Sequence, residues 1–141
     1  PIELGRSEVI YRGSKIAILA CGNMVEEAVK LYDRLKSDDV DATLVNVRFV
    51  SSVDVDLLKD LLDTHNIIVT MEENIRKGGY GELLSACIFD NELDKDRNII
   101  HVDGSINQET VPHGTINELR DMLGISADKL YERIKLLLDE G

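Results

Sequence analysis

Apolar residues fall into two spacings along the chain. Runs without polar alternation occupy 15–21 (KIAILAC), 42–50 (ATLVNVRFV), 67–72 (IIVTME) and 98–103 (NIIHVD), with a weaker run at 7–12 (SEVIYR). Such runs predict strands buried on both faces. Between them, apolar residues recur at helical spacing. Met24, Ala28, Leu31 and Leu35 form one such stripe, and Leu57, Leu58, Leu61 and Leu62 form another within 53–63. Leu83, Leu84, Cys87 and Ile88 follow a Gly78-Gly79-Tyr80-Gly81 turn. Leu119, Met122 and Leu123 mark a short helix, and Leu130, Ile134 and Leu137 a final one. Asn23 with Glu26, and Thr115 with Glu118, have capping-box spacing. Gly124 ends the short helix, Ser126 caps the last one, and 104–114 is a loop. Strands alternating with helices predict an α/β fold: a mostly parallel sheet with helices on both faces. No repeat, low-complexity tract or internal linker divides residues 1–141, so one domain is expected.

Composition narrows the classes. A hydrophobic fraction of 43% over 141 residues supports a buried core and excludes a disordered chain. The longest apolar run falls far short of the ~20 residues of a membrane span. With 16 basic and 27 acidic residues, the net charge is −11, which disfavours nucleic acid and anionic membranes as partners. Pro1 to Arg6 lacks the pattern of a signal peptide. A start at Pro1 rather than Met predicts a piece cut from a longer chain. Cys21 and Cys87 lack metal or redox spacing, and fit free thiols in a reducing cytosol.

Candidate chemistry is sparse. A single glycine follows the strand ending at Cys21, and neither a dinucleotide fingerprint nor a P-loop is present. Gly78, Gly79, Tyr80 and Gly81 open a helix whose N–H groups could hold an anion; the alternative is a tight turn for close packing. Glu72 and Glu73 sit at the carboxyl end of a strand, where α/β sheets form crevices, and they point to opposite faces. Arg48, near the end of another strand, is expected to pair with one of them across the crevice. Cys21 is expected to be a buried, inert thiol, and His65 and His101 structural. His113 lies in the long loop and is the histidine to watch. Three scattered histidines make no metal site. No complete catalytic constellation emerges, which predicts part of something larger.

Five motifs in order carry a resemblance: 15–25 (KIAILACGNMV), 45–50 (VNVRFV), 69–74 (VTMEEN), 78–81 (GGYG) and His113-Gly114. Together they resemble the C-terminal domain of transketolase-like thiamine diphosphate enzymes, and within them the 1-deoxy-D-xylulose-5-phosphate synthases. The closing stretch, with Leu123-Gly124-Ile125-Ser126-Ala127, looks like the tail of those enzymes. The chain departs from the family at Ser51-Ser52, where Lys-Pro is usual, and at 105–110, where Pro-Asp and an aromatic residue are common.

The resemblance implies a three-layer α/β/α fold with a five-stranded mixed, mostly parallel sheet whose first strand runs antiparallel. It implies a parent transferase that joins pyruvate and glyceraldehyde 3-phosphate, with loss of carbon dioxide, for isoprenoid, thiamine and pyridoxal synthesis. Thiamine diphosphate and magnesium would be its cofactors, held by the preceding domains. No catalytic, cofactor or metal residue maps onto this chain, so the chain alone is expected to be inactive and to bind none of them. Its expected partners are the preceding domains, in a homodimer, in a bacterial cytoplasm or a plastid. Arg48, Glu72, Gly78, Gly79, Tyr80, Gly81 and His113 are the expected interdomain or crevice residues. Transketolase itself and the beta subunit of a 2-oxoacid dehydrogenase carry a similar domain. A reading of another class is a stand-alone module binding a small anion near Gly22, Arg48 and Gly79.

Overall fold

The computed structural model describes residues 4–107 and 114–140. Its strands are β1 (Glu8–Tyr11), β2 (Lys15–Cys21), β3 (Ala42–Val47), β4 (His65–Ile75) and β5 (Ile100–Ile106). Its helices are α1 (Val25–Ser37), α2 (Val55–Leu62), α3 (Tyr80–Asp90), α4 (Ile116–Met122) and α5 (Ala127–Glu140). They build one five-stranded sheet in the order β1-β3-β2-β4-β5. β1 runs antiparallel to β3, and the other three pairings are parallel. The expected three-layer fold is therefore present.

The central strands bury both faces, and each face has its own core. Ile16, Ile18 and Ala20 of β2 pack with Met24, just before α1, with Leu31 and Leu35 of α1, and with Leu130 and Ile134 of α5. Ala17, Leu19 and Cys21 pack on the other face with Leu58 and Leu61 of α2 and Leu84 of α3. This explains why β2 lacks polar alternation, since every residue from Ile16 to Cys21 is buried.

Several boundaries move. β3 ends at Val47 rather than Val50, because the chain turns away at Arg48. β4 begins earlier and runs on through Glu73, Asn74 and Ile75, because Ile75 still pairs with Ile106. β5 likewise continues past Gly104 to Ile106, where the sequence predicts loop. Residues 108–113 of that expected loop, including His113, lie outside the described residues.

The caps divide. Thr115 Oγ1 accepts the Glu118 N–H at 3.2 Å, and Ser126 Oγ accepts the Lys129 N–H at 3.2 Å, as expected. Asn23 does not cap α1. Gly22, at φ +54°, starts a single 3-10 turn over Gly22–Met24, and α1 then begins at Val25 with no side-chain cap. The extra turn leaves Asn23 one residue short of the capping position, which Met24 occupies. Asp54 caps α2 instead: its Oδ1 accepts the Leu57 N–H at 3.2 Å, while Oδ2 accepts the Ser7 N–H at 3.0 Å. One carboxylate thus starts a helix and ties down the segment before β1.

Candidate functional site at the carboxyl end of the sheet

The chain leaves β2 through α1 toward β3 on one side, then returns through α2 to β4 on the other. The connections diverge between the carboxyl ends of β2 and β4, where open α/β sheets form a crevice. Gly22 and Asn23 follow β2 there, and Glu72 and Glu73 lie near the end of β4. An open cavity of about 490 Å³ occupies the place, lined by Gly22, Asn23, Val25, Glu26, Glu73, Ile116 and Arg120.

The adjacent carboxylates do different work. Glu72 is fully buried. Its Oε1 accepts the Tyr80 N–H at 2.8 Å and its Oε2 accepts the Gly81 N–H at 2.7 Å. Asn74 Nδ2 is the third donor to the carboxylate, reaching Oε1 at 3.3 Å. The free N–H groups and positive dipole end of α3 are therefore neutralised from within. Gly79 is needed for this approach, since a Cβ there would lie 2.6 Å from Glu72 Oε1 and 2.8 Å from the Ile75 carbonyl oxygen. The glycine loop does hold an anion, and that anion is Glu72 itself. The reading of an open small-anion site at Gly79 is thereby corrected.

Glu73 points the other way, toward solvent and α4, and accepts Arg120 Nη2 at 2.8 Å. Arg120 Nη1 also approaches Glu27 Oε1 at 3.8 Å. The Arg120 side chain is only 14% exposed, and its Nε has no hydrogen-bond partner among the described residues. Glu27 is buried too. Its Oε2 accepts the Ala127 N–H at 2.7 Å, capping α5, and its Oε1 accepts Lys30 Nζ at 3.3 Å.

Arg48 does not pair with either glutamate. It pairs with Glu8 at 3.0 Å. The register explains this: Glu8 stands opposite Asn46 on the side of β3 away from β2. β2 separates β3 from β4, so Glu72 is out of reach. Of the other expected site residues, Gly79, Tyr80 and Gly81 are buried, and Gly78 is exposed at φ +81°.

Cys21, His65 and His101 have structural surroundings. Burial, reinforced by the Glu72 charge, pushes the Cys21 thiol up to about 12, so it carries no thiolate at neutral pH. Burial likewise raises the Tyr80 hydroxyl, aided by Cys21. His65 Nδ1 donates to the Leu61 carbonyl at 2.8 Å, and its Nε2 lies 2.7 Å from Thr43 Oγ1. With Nδ1 donating, the neutral ring accepts from Thr43 at Nε2. His101 bridges Thr70 Oγ1 and Ser85 Oγ, each at 2.7 Å. Burial lowers both histidines below their ordinary value.

These residues do not fit a diphosphate or its metal. The donors of the glycine loop are spent on Glu72, and the cavity beside it sets two carboxylates, Glu26 and Glu73, against the single guanidinium of Arg120. Among the described residues no group of three or more His, Cys, Asp and Glu is placed to hold a metal ion.

A model of the family described as transketolase, C-terminal domain, matches residues 5–130. The chain belongs to that family. This transketolase C-terminal domain is 37% identical over 130 residues to a 1-deoxy-D-xylulose-5-phosphate synthase of Lachnoclostridium phytofermentans, covering 92% of this chain and 20% of that protein. It is 34% identical over 139 residues to the synthase of Dictyoglomus thermophilum, covering 99% and 22%. The domain thus spans about a fifth of the length of these relatives. In fold it is similar to a structure titled split gene transketolase, inactive beta4 tetramer, with a TM-score of 0.78, 22% identity, and coverage of 95% of this chain and 41% of that one.

Glu27 and Arg120 are the residues that sequence reasoning missed. Glu27 carried a signal, as a charge on the inward stripe between Met24 and Leu31, whereas Arg120 lies on a helix with no fully buried residue and carried none.

Proposed function

We propose that this transketolase C-terminal domain is the last domain of a longer 1-deoxy-D-xylulose-5-phosphate synthase, in which it packs on the preceding domains and supports a homodimer. The observation that carries the reading is the match of nearly the whole chain to a fifth of each synthase, combined with a crevice whose donors are already spent. The parent reaction condenses pyruvate with glyceraldehyde 3-phosphate and releases carbon dioxide. Thiamine diphosphate, when bound with magnesium, supplies the carbanion chemistry, and the preceding domains hold it. This domain holds neither and supplies no reacting group. A bacterial cytoplasm is the compartment that fits these bacterial relatives.

At the domain boundary, Arg48 and Gly78 reach the surface at the carboxyl end of the sheet. Glu72, Gly79, Tyr80 and Gly81 shape that end from inside, and His113 completes the set expected from sequence. The reading as a free-standing anion module loses its best donor loop to Glu72.

The test is the reading frame upstream of the Pro1 codon and the activity of its complete product. A product several times longer, making deoxyxylulose phosphate from pyruvate and glyceraldehyde 3-phosphate with thiamine diphosphate and magnesium, supports the proposal. A start codon beside Pro1, or a longer product that does not release carbon dioxide from pyruvate when given the aldehyde, refutes it.

A further inference from the structure

The carboxyl end of the sheet carries an apolar rim that the two cores leave uncovered. Ile75 ends β4 and is 50% exposed, and Val50, in the turn after β3, is 44% exposed. Ile116 and Met122 on α4 are 64% and 51% exposed. Leu4, at 88% exposure, precedes β1, whose antiparallel register carries the preceding chain past the end of β3.

α4 makes this rim more than a scatter of surface residues. None of its residues is fully buried, and only Leu119 and Arg120 are half-buried. It is nevertheless fixed: Arg120 is bound to Glu73, and the Arg120 carbonyl accepts the Ile125 and Ser126 N–H groups at 2.9 and 3.2 Å. Holding a helix in place costs ordering entropy, and burial of its own apolar residues does not repay it here.

We propose that this rim, from Leu4 and Val50 across Ile75 to Ile116 and Met122, is the face that docks on the preceding part of a longer polypeptide. The inference rests on the reading that this chain is the last domain of such a protein. Two observations choose that occupant. The relatives have about four-fifths of their length outside the match. Leu4, the first described residue, stands on the rim, so a chain arriving there arrives at the docking face. A second copy is the poorer occupant, because each copy carries a net charge of −11. The complementary surface is apolar with basic residues at its margin, opposite the exposed Glu26 and Glu73.

Methionine oxidation reads the rim directly. The chain has three methionines; Met24 and Met71 are fully buried, and Met122 is exposed. The 141-residue chain and the product of the complete reading frame are treated with dilute hydrogen peroxide, and sulfoxide is followed peptide by peptide. Met122 should oxidise fast in the 141-residue chain and at least about fivefold more slowly in the longer product, with Met24 and Met71 slow in both. Ile116→Asp in the longer product should restore fast oxidation of Met122. Equal Met122 rates in the two proteins would overturn the proposal. So would protection that grows with concentration in the 141-residue chain alone, which would assign the rim to a second copy. Protection without deoxyxylulose phosphate synthesis would leave the docking face standing and overturn the reaction, and the reverse result would do the opposite. A reading frame that starts at Pro1 would overturn both.

Discussion

Glu72 Oε2 accepts the backbone N–H of Gly81 at 2.7 Å, so the sheet supplies the anion that the first turn of α3 would otherwise draw from solvent. Replacing this carboxylate leaves the buried Tyr80 and Gly81 N–H groups unpaired. Glu72→Ala should therefore lower stability by about 2–4 kcal/mol. Glu72→Gln keeps one acceptor oxygen and should cost less. Chemical rescue identifies the cause: formate at tens of millimolar should raise the Tm of Glu72→Ala while leaving the wild type unchanged, read by thermal melts in matched chloride. Equal shifts in both proteins would show that the α3 terminus is not the responsible site.

The neighbouring glycines should not be equivalent. A Cβ on Gly79 would lie 2.6 Å from Glu72 Oε1 and 2.8 Å from backbone oxygen of Ile75, and neither atom can yield without breaking the loop. Among the described residues a Cβ on Gly78 meets nothing within 4 Å, and its φ of +81° is what opposes a side chain. Gly79→Ala should cost about 2–3 kcal/mol, and Gly78→Ala about 1 kcal/mol. Denaturant titration of the two variants checks the order. A larger loss at Gly78 would mean that backbone conformation, rather than the approach of Glu72, fixes this turn.

What the sequence makes legible follows from the range of the interactions. β2 is readable because every residue from Ile16 to Cys21 is buried and nothing polar interrupts it. The end of β4 is not, because Glu73 and Asn74 look like loop residues, yet the strand continues to a pairing with β5 that only the sheet reveals. Phe49 and Val50 mislead in the opposite sense: they are apolar but lie beyond β3, and Val50 faces solvent. Local caps such as Thr115 are readable because donor and acceptor are three residues apart. The Glu27–Ala127 cap spans 100 residues, so no spacing rule finds it. The glycine loop was legible as a tight turn for close packing or an anion cradle, and the fold makes it both, because the group that approaches Gly79 is the Glu72 carboxylate.

The two described histidines predict a pH dependence whose sign is fixed. Burial lowers both His65 and His101 below the ordinary value of 6.5. The folded state thus favours the neutral rings, and the unfolded chain takes up protons first as pH falls. Their contribution to stability is fully present above about 6.5 and is lost as pH falls from there toward the folded-state values. Tm should be flat from pH 8 to 7 and decline below 6.5. His101→Asn should remove part of that decline, with the remainder belonging to His65. A Tm that rises between pH 7 and 5.5 would contradict the buried neutral assignment.

The thiols offer a sharper readout of the same packing. Cys21 ends β2 at 5% exposure and is pushed up to about 12 by burial and the charge of Glu72. Cys87, on α3, is only partly buried, and its Sγ accepts from the Asn91 amide at 3.7 Å. A disulfide reagent at pH 8 should therefore titrate one thiol per chain promptly, with the second appearing only in denaturant. Cys87→Ser should abolish the prompt phase. In Glu72→Ala the slow phase should accelerate, since that change both loosens the α3 terminus over Cys21 and removes the charge that disfavours its thiolate. The Glu72 charge and the packing can be separated by Glu72→Gln, which removes the charge while keeping the bulk. If Gln accelerates Cys21 as much as Ala, electrostatics governs the thiol; if only Ala does, opening of the loop governs it.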